Sequence, residues 1–235
     1  MHLSNLVSSS LFIFGVACVP IEQEASISVS LGNLLSNICR DTGRLPNCNI
    51  ADTPLPTPGN GPGLPAPAAN LKLKYTALGV GTQNYTCASS DDSTSPALLG
   101  AVATLYDASC LVTKFATVLD SFAQIAVKLP TNVVNDMITK HLDLEILGNH
   151  YFAGHVPTFD LRRNSRTDFV AVSVVAKVPA PGSGDVDWLK LDRVDGSGIE
   201  TVYRVKTTGG KAPATCKSMP RQFEVKYIAQ YWMYG

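Results

Sequence analysis

The chain has 235 residues, 45% of them apolar and 16% charged, and its nineteen basic side chains balance nineteen acidic ones. That size and apolar content suit one domain with a real core plus additional segments. The neutral balance provides neither the basic footprint that nucleic acid requires nor the polybasic patch that draws a protein to an anionic membrane surface, so no nucleic-acid or membrane partner is predicted.

Met1–Asn5 leads into the apolar, serine-rich run Leu6–Val16, and Gly15-Val16-Ala17 supplies small residues at −3 and −1. This is the layout of a secretory signal peptide covering residues 1–17. The run is too short to span a bilayer, no other stretch approaches a span, and no apolar C-terminal tail suits a lipid anchor. A secreted, extracellular protein is predicted. The six cysteines, Cys18, Cys39, Cys48, Cys87, Cys110 and Cys216, have no zinc-site spacing, and in a secreted chain they read as disulfide partners. Cleavage after Ala17 leaves Cys18 at the new terminus, and cleavage slightly later leaves five cysteines, one of them odd. Asn84-Tyr85-Thr86 is the N-glycosylation sequon, so Asn84 is predicted to carry glycan.

Residues 18–69 read as a helix followed by a linker. Ile27–Arg40 places Leu31, Leu34, Leu35 and Ile38 at helical spacing, whereas Asp52–Pro67 interleaves six prolines with three glycines. Proline removes donors and fixes extended backbone, so this stretch is expected to be a linker or strap. A β domain is predicted over 70–235. Leu71–Val80 and Thr82–Cys87 alternate as two strands broken at Gly79-Val80-Gly81, and Ala97–Asp107 reads as another. Leu111, Phe115, Val118, Leu119, Phe122 and Ile125 then form a helical stripe that Pro130 stops, and a second stripe runs from Val133 to Leu142. From Gly148 strand signals return, at Thr158–Leu161, Phe169–Val178, Val186–Leu191, Glu200–Lys206 and Phe223–Tyr234, separated by Gly, Pro and Asp turns. The fold expected is mainly β, an antiparallel β sandwich or barrel with a helical hairpin insertion.

The stretches GVGTQNYTC (Gly79–Cys87), LYDASC (Leu105–Cys110), GNHYFAGHVPTFD (Gly148–Asp160), VDWLKL (Val186–Leu191), YRVKTTGGKAPATC (Tyr203–Cys216) and VKYIAQYWMYG (Val225–Gly235) stand in an order that resembles the domain of unknown function 3455 family, over roughly Asn70 to Gly235. The fungal branch is the more similar, which implies secretion. The family has no settled activity, so the resemblance implies architecture and little chemistry. Fungal members carry an early cysteine where Ala66–Asn70 stands here. The resemblance implies a bridge between Cys87 and Cys216, with Cys110 reaching Cys39 or Cys48. The malate dehydrogenase label often attached to fungal members conflicts with the residues. Gly79-Val-Gly81-Thr-Gln-Asn84 lacks the third glycine of a dinucleotide fingerprint, and a strand follows it rather than a helix. No cofactor is predicted.

Two constellations remain. His150 and His155 flank Tyr151-Phe152-Ala153-Gly154, with Asp160 nearby. Imidazoles with a carboxylate suit a divalent ion or a general base, and the bland reading is a surface loop whose histidines bond the backbone. Within the resemblance, His150 and Tyr151 match the family's HYF motif and His155 does not, which makes His150, Tyr151 and Asp160 the catalytic candidates and assigns no metal site. No G-x-S-x-G elbow is present, and the pairs Asp143/Glu145 and Asp185/Asp187 read as solvated turn residues. The second constellation is aromatic: Trp188, Tyr203, Tyr227, Tyr231, Trp232 and Tyr234. Such residues pack cores or line ligand surfaces. Trp232 and Tyr234 share a strand face with Glu224 and Lys226, so they are expected to be exposed and, with Trp188, to be the binding candidates. Two function classes follow. One is a non-enzymatic cell-surface or extracellular binding or structural protein, holding a cell-wall glycan or a small apolar ligand. The alternative is a secreted hydrolase or metal-dependent enzyme using His150.

Overall fold

A computed structural model describes residues 48–59, 61–140 and 142–235. The signal-like segment, the helix expected at Ile27–Arg40, and Cys18 and Cys39 lie outside those residues. Eight strands follow in order: β1 Leu73–Thr86, β2 Ala97–Asp107, β3 Ile146–Ala153, β4 Val156–Asp160, β5 Phe169–Val178, β6 Trp188–Ser197, β7 Thr201–Gly209 and β8 Gln222–Tyr234. Each pairs antiparallel with the next, and β8 pairs with β1, so the choice between sandwich and barrel resolves as a closed barrel. Closure removes the sheet's free edges except along β5 beyond Ala171, where the short β4 gives it no partner.

The terminal strand explains the architecture. β8 is paired on both sides, to β7 and to β1 over nearly its whole length. Its side chains alternate, and both faces are buried. Tyr227, Ala229, Tyr231 and Met233 point into the barrel, while Ile228, Trp232 and Tyr234 point outward into a second core. That second core exists because the β2–β3 connection carries three helices, α1 Ser109–Lys114, α2 Ala116–Ala126 and α3 Thr131–Lys140. Leu119, Phe122 and Ala126 of α2 and Met137 and Ile138 of α3 cover the outer face. Trp232 and Tyr234 are therefore not exposed: they retain 2% and 6% of their surface, and Trp188 is buried among the same residues. Glu224 and Lys226 belong to the start of β8, where Lys226 Nζ donates to the Leu129 carbonyl at 2.7 Å, just beyond the end of α2.

Two further departures have local causes. The first helical stripe is split, because Phe115 leaves helical backbone at φ −134°, ψ 34° and separates α1 from α2. β1 runs unbroken through Gly79 and Gly81, since both glycines face places where neighbouring atoms come too close for a side chain. A Cβ on Gly81 would lie 1.8 Å from the Val102 carbonyl oxygen. Close backbone approach is a standard reason for glycine inside a strand.

Two disulfides hold the ends. Cys87, just past β1, is bridged to Cys216 in the β7–β8 connection, and Cys48 is bridged to Cys110 in α1. The second ties down the proline-rich strap, whose Leu55 and Leu64 pack on the outer core. The Tyr203 hydroxyl adds a hydrogen bond to the Pro65 carbonyl at 2.8 Å.

Candidate functional site

The two ends of the barrel differ. At the end where β1 begins, the buried Asp168 carboxylate accepts hydrogen bonds from Lys74 Nζ at 2.8 Å and from the Tyr75 hydroxyl at 2.9 Å. Burial first, and then that bond, push the Tyr75 pKa up to about 12. The other end opens into a cavity of about 470 Å³. Its opening follows from strand register: β4 pairs with β5 only at Thr158, Phe159 and Asp160, so Val156 and Pro157 have no partner there, and β5 continues from Val172 as a hairpin with β6. The floor and walls are Phe159, Tyr231, Val172 and Leu191, all facing inward. At the mouth stand Leu98, Val156, Val174 and Val194, which are exposed large apolar side chains.

Six polar side chains interrupt this apolar lining: Gln83, His150, Arg204 and Tyr231 in its interior, and the exposed His155 and Ser173 toward the mouth. His150 is on β3, where its ring stacks on Phe159 with centroids 4.3 Å apart and planes 12° from parallel. Its Nδ1 lies 2.9 Å from the Thr158 carbonyl oxygen. A carbonyl only accepts, so Nδ1 carries the proton and donates, leaving Nε2 as the acceptor nitrogen. Burial depresses the pKa to about 4, with the Arg204 charge adding to the effect and the Thr158 bond opposing it. The imidazole is neutral at physiological pH. Tyr231 is buried beneath it, its hydroxyl 2.8 Å from that of Tyr227. Burial raises the pKa of both phenols.

The three catalytic candidates do not converge. His150 points into the barrel and the next residue on β3, Tyr151, points outward, as strand alternation requires. Asp160 is engaged by Arg162 through Nε at 3.0 Å and Nη2 at 2.7 Å, and that guanidinium lowers its pKa. His155 sits in the β3–β4 turn at the cavity mouth. Among the described residues no group of three His, Cys, Asp or Glu side chains is placed to hold a metal ion. The loop reading suits His155, exposed in its turn, whereas His150 is buried in strand β3 and bonds the backbone from there.

Gln83 and Arg204 were not among the sequence candidates. Arg204 stands opposite Tyr231 of β8 and Leu189 of β6, both of which line the cavity, so it shares their inward face. Gln83 pairs with the inward-facing Ala101. The usable signal was strand pairing: a polar residue registered opposite a core aromatic faces the core.

The family described as a protein of unknown function, DUF3455, matches residues 67–235, which takes in all eight strands and the three helices. The chain belongs to the DUF3455 family. No curated protein and no solved structure matches it. In this DUF3455 protein the cavity and its lining are the features that bear on function. No helix among the described residues is long and apolar enough to cross a membrane.

Proposed function

We propose that this DUF3455 protein is a secreted, non-enzymatic binding protein that holds a small apolar ligand inside its barrel. The observation that carries the reading is the cavity, about 470 Å³ in volume, lined by side chains such as Phe152, Phe159 and Leu191, with Leu98, Val156, Val174 and Val194 gathered at its mouth. Volumes and linings of this kind enclose small ligands, and clustered exposed apolar side chains mark interaction sites. Secretion is supported by the signal-like N-terminus and by two disulfides, which persist in oxidising compartments. Asn84, partly exposed in β1, is the residue that would carry glycan there.

Of the two ligand classes, the apolar one is favoured, because burial removes Trp188, Trp232 and Tyr234 as a platform on which sugars stack. Catalysis through His150 has less support: the cavity lining contains no carboxylate or thiol, and its serine, Ser173, is exposed whereas His150 is buried.

The test is uptake of a neutral solvatochromic dye, Nile red, by the purified secreted protein. A blue-shifted emission saturating at one dye per chain is expected, and Ala101→Phe, which places a ring in the cavity, abolishes it while the far-ultraviolet circular dichroism stays unchanged. Failure of the wild-type protein to take up dye saturably refutes the reading.

A further inference from the structure

Resting on that reading, we infer that the ligand carries an anionic head: the barrel takes a long-chain carboxylate, its apolar chain leaving by the apolar mouth and its head group received by Arg204 and Gln83.

The first observation is an uncompensated charge. Arg204 is partly buried on the inner face of β7. Its Nε and Nη2 donate to the Asp187 carbonyl at 3.2 and 2.9 Å, which orients the guanidinium but leaves its charge intact. Among the described residues no carboxylate lies within ion-pair distance of it, although seven ion pairs form elsewhere. The cavity lining holds no Asp or Glu at all. Arginine is permanently protonated, so it cannot escape by neutralising itself, and charges withdrawn from water are ordinarily paired. A neutral apolar ligand would displace water from this guanidinium and give nothing back. A carboxylate presents two oxygens that match its fork.

The second observation is independent. Gln83 is 2% exposed and lines the same cavity, and its Nε2 completes no well-formed hydrogen bond, although the side chain interacts with the Tyr227 phenol and lowers its pKa. A buried donor without an acceptor is unfavourable and rare, and a carboxylate in the cavity supplies the acceptor. The remaining polar groups fit this assignment. The His150 Nδ1 proton is already taken by Thr158, and the two phenols lie within hydrogen-bond distance of each other. His150 is uncharged, and no lysine or second arginine lines the cavity, so Arg204 is its permanently charged group. The guanidinium also acts on the interior, lowering the pKa of Tyr231 against the effect of burial through its charge and through a side-chain hydrogen bond.

The experiment compares dodecanoate with 1-dodecanol on the full secreted protein, by displacement of Nile red and by direct titration calorimetry. Charge-assisted hydrogen bonds predict that dodecanoate binds about ten- to a hundredfold more tightly. Arg204→Gln, its fold checked by far-ultraviolet circular dichroism, is expected to level the two affinities. Arg204→Lys restores part of the preference, and Gln83→Leu lowers it in a second, independent variant should Arg204→Gln not fold. Equal affinities in the wild type, or a preference that survives Arg204→Gln, overturn the inference while dye uptake leaves the binding reading standing. If dye, acid and alcohol all fail to bind, both readings fall.

Discussion

The ring of Tyr231 fills the space that a side chain at Gly79 would need: a Cβ built on Gly79 lies 2.5 Å from Tyr231 Cε2. The two residues belong to neighbouring strands, and the Tyr231 ring forms part of the cavity lining. Glycine inside a strand costs about 0.5–1 kcal/mol relative to alanine, so Gly79→Ala at a roomy site would stabilise. Overpacking a filled interior costs about 1–3 kcal/mol, which outweighs that gain. Gly79→Ala is therefore expected to lower the urea midpoint and to disturb ligand uptake. Gly184→Ala, where a Cβ meets nothing within 4 Å, serves as the control and leaves the midpoint unchanged or higher.

His150 makes stability depend on pH. Its pKa is about 4 in the folded barrel against an ordinary 6.5, so between those values the unfolded chain binds more protons. Stability is then full above about pH 6.5 and falls as the pH drops toward about 4, by a total of order 3 kcal/mol. Melting temperatures measured from pH 7 to pH 4 should show this slope, and His150→Gln should flatten it. A slope unchanged in the variant would assign the effect to other groups.

The disulfides are predicted to contribute unequally. Cys87 and Cys216 are 129 residues apart and Cys48 and Cys110 are 62 apart. Restriction of the unfolded chain grows with loop length, so paired substitution of the first bridge by alanine costs about half a kcal/mol more, within a range of about 2–5 kcal/mol for each bridge. Loss of the Cys48–Cys110 bridge should also release the strap, so limited proteolysis of that variant cuts near Leu55–Leu64 before it cuts the barrel.

At the closed end, Asp168→Ala leaves the Tyr75 hydroxyl and Lys74 Nζ without their shared acceptor. The expected cost is about 1–3 kcal/mol. Tyr75, held at about 12 partly by this carboxylate, should ionise at lower pH in the variant, which an ultraviolet titration of tyrosinate reads directly.

Local sequence patterns make much of this fold legible. The alternation along β8 puts Trp232 and Tyr234 on one strand face, and both do point the same way, into the outer core. It said nothing of what lies beyond each face, and the burial of Trp232 and Tyr234 depends on helices drawn from a segment some hundred residues earlier. β3 was missed because Gly148-Asn149-His150 has weak strand propensity and stands beside turn residues. Gly79 and Gly81 suggested a break for the opposite reason, since glycine marks both turns and close approaches. Arg204 and Gln83 were illegible because an isolated polar residue in a strand ordinarily faces water, and only pairing with distant β8 and β2 turns them inward.

The brief pairing of β4 with β5 has a consequence for handling the protein. Beyond Ala171 the β5 backbone has no β4 neighbour, so a barrel that otherwise hides every strand edge keeps one strip of available donors and acceptors. Exposed Val174 and Val175 lie along it, beside Lys177. Such a strip invites strand addition from a second molecule, and a lysine at an edge is a common deterrent. Concentrated, ligand-free protein should self-associate through this seam first, and occupancy of the neighbouring cavity should suppress that association.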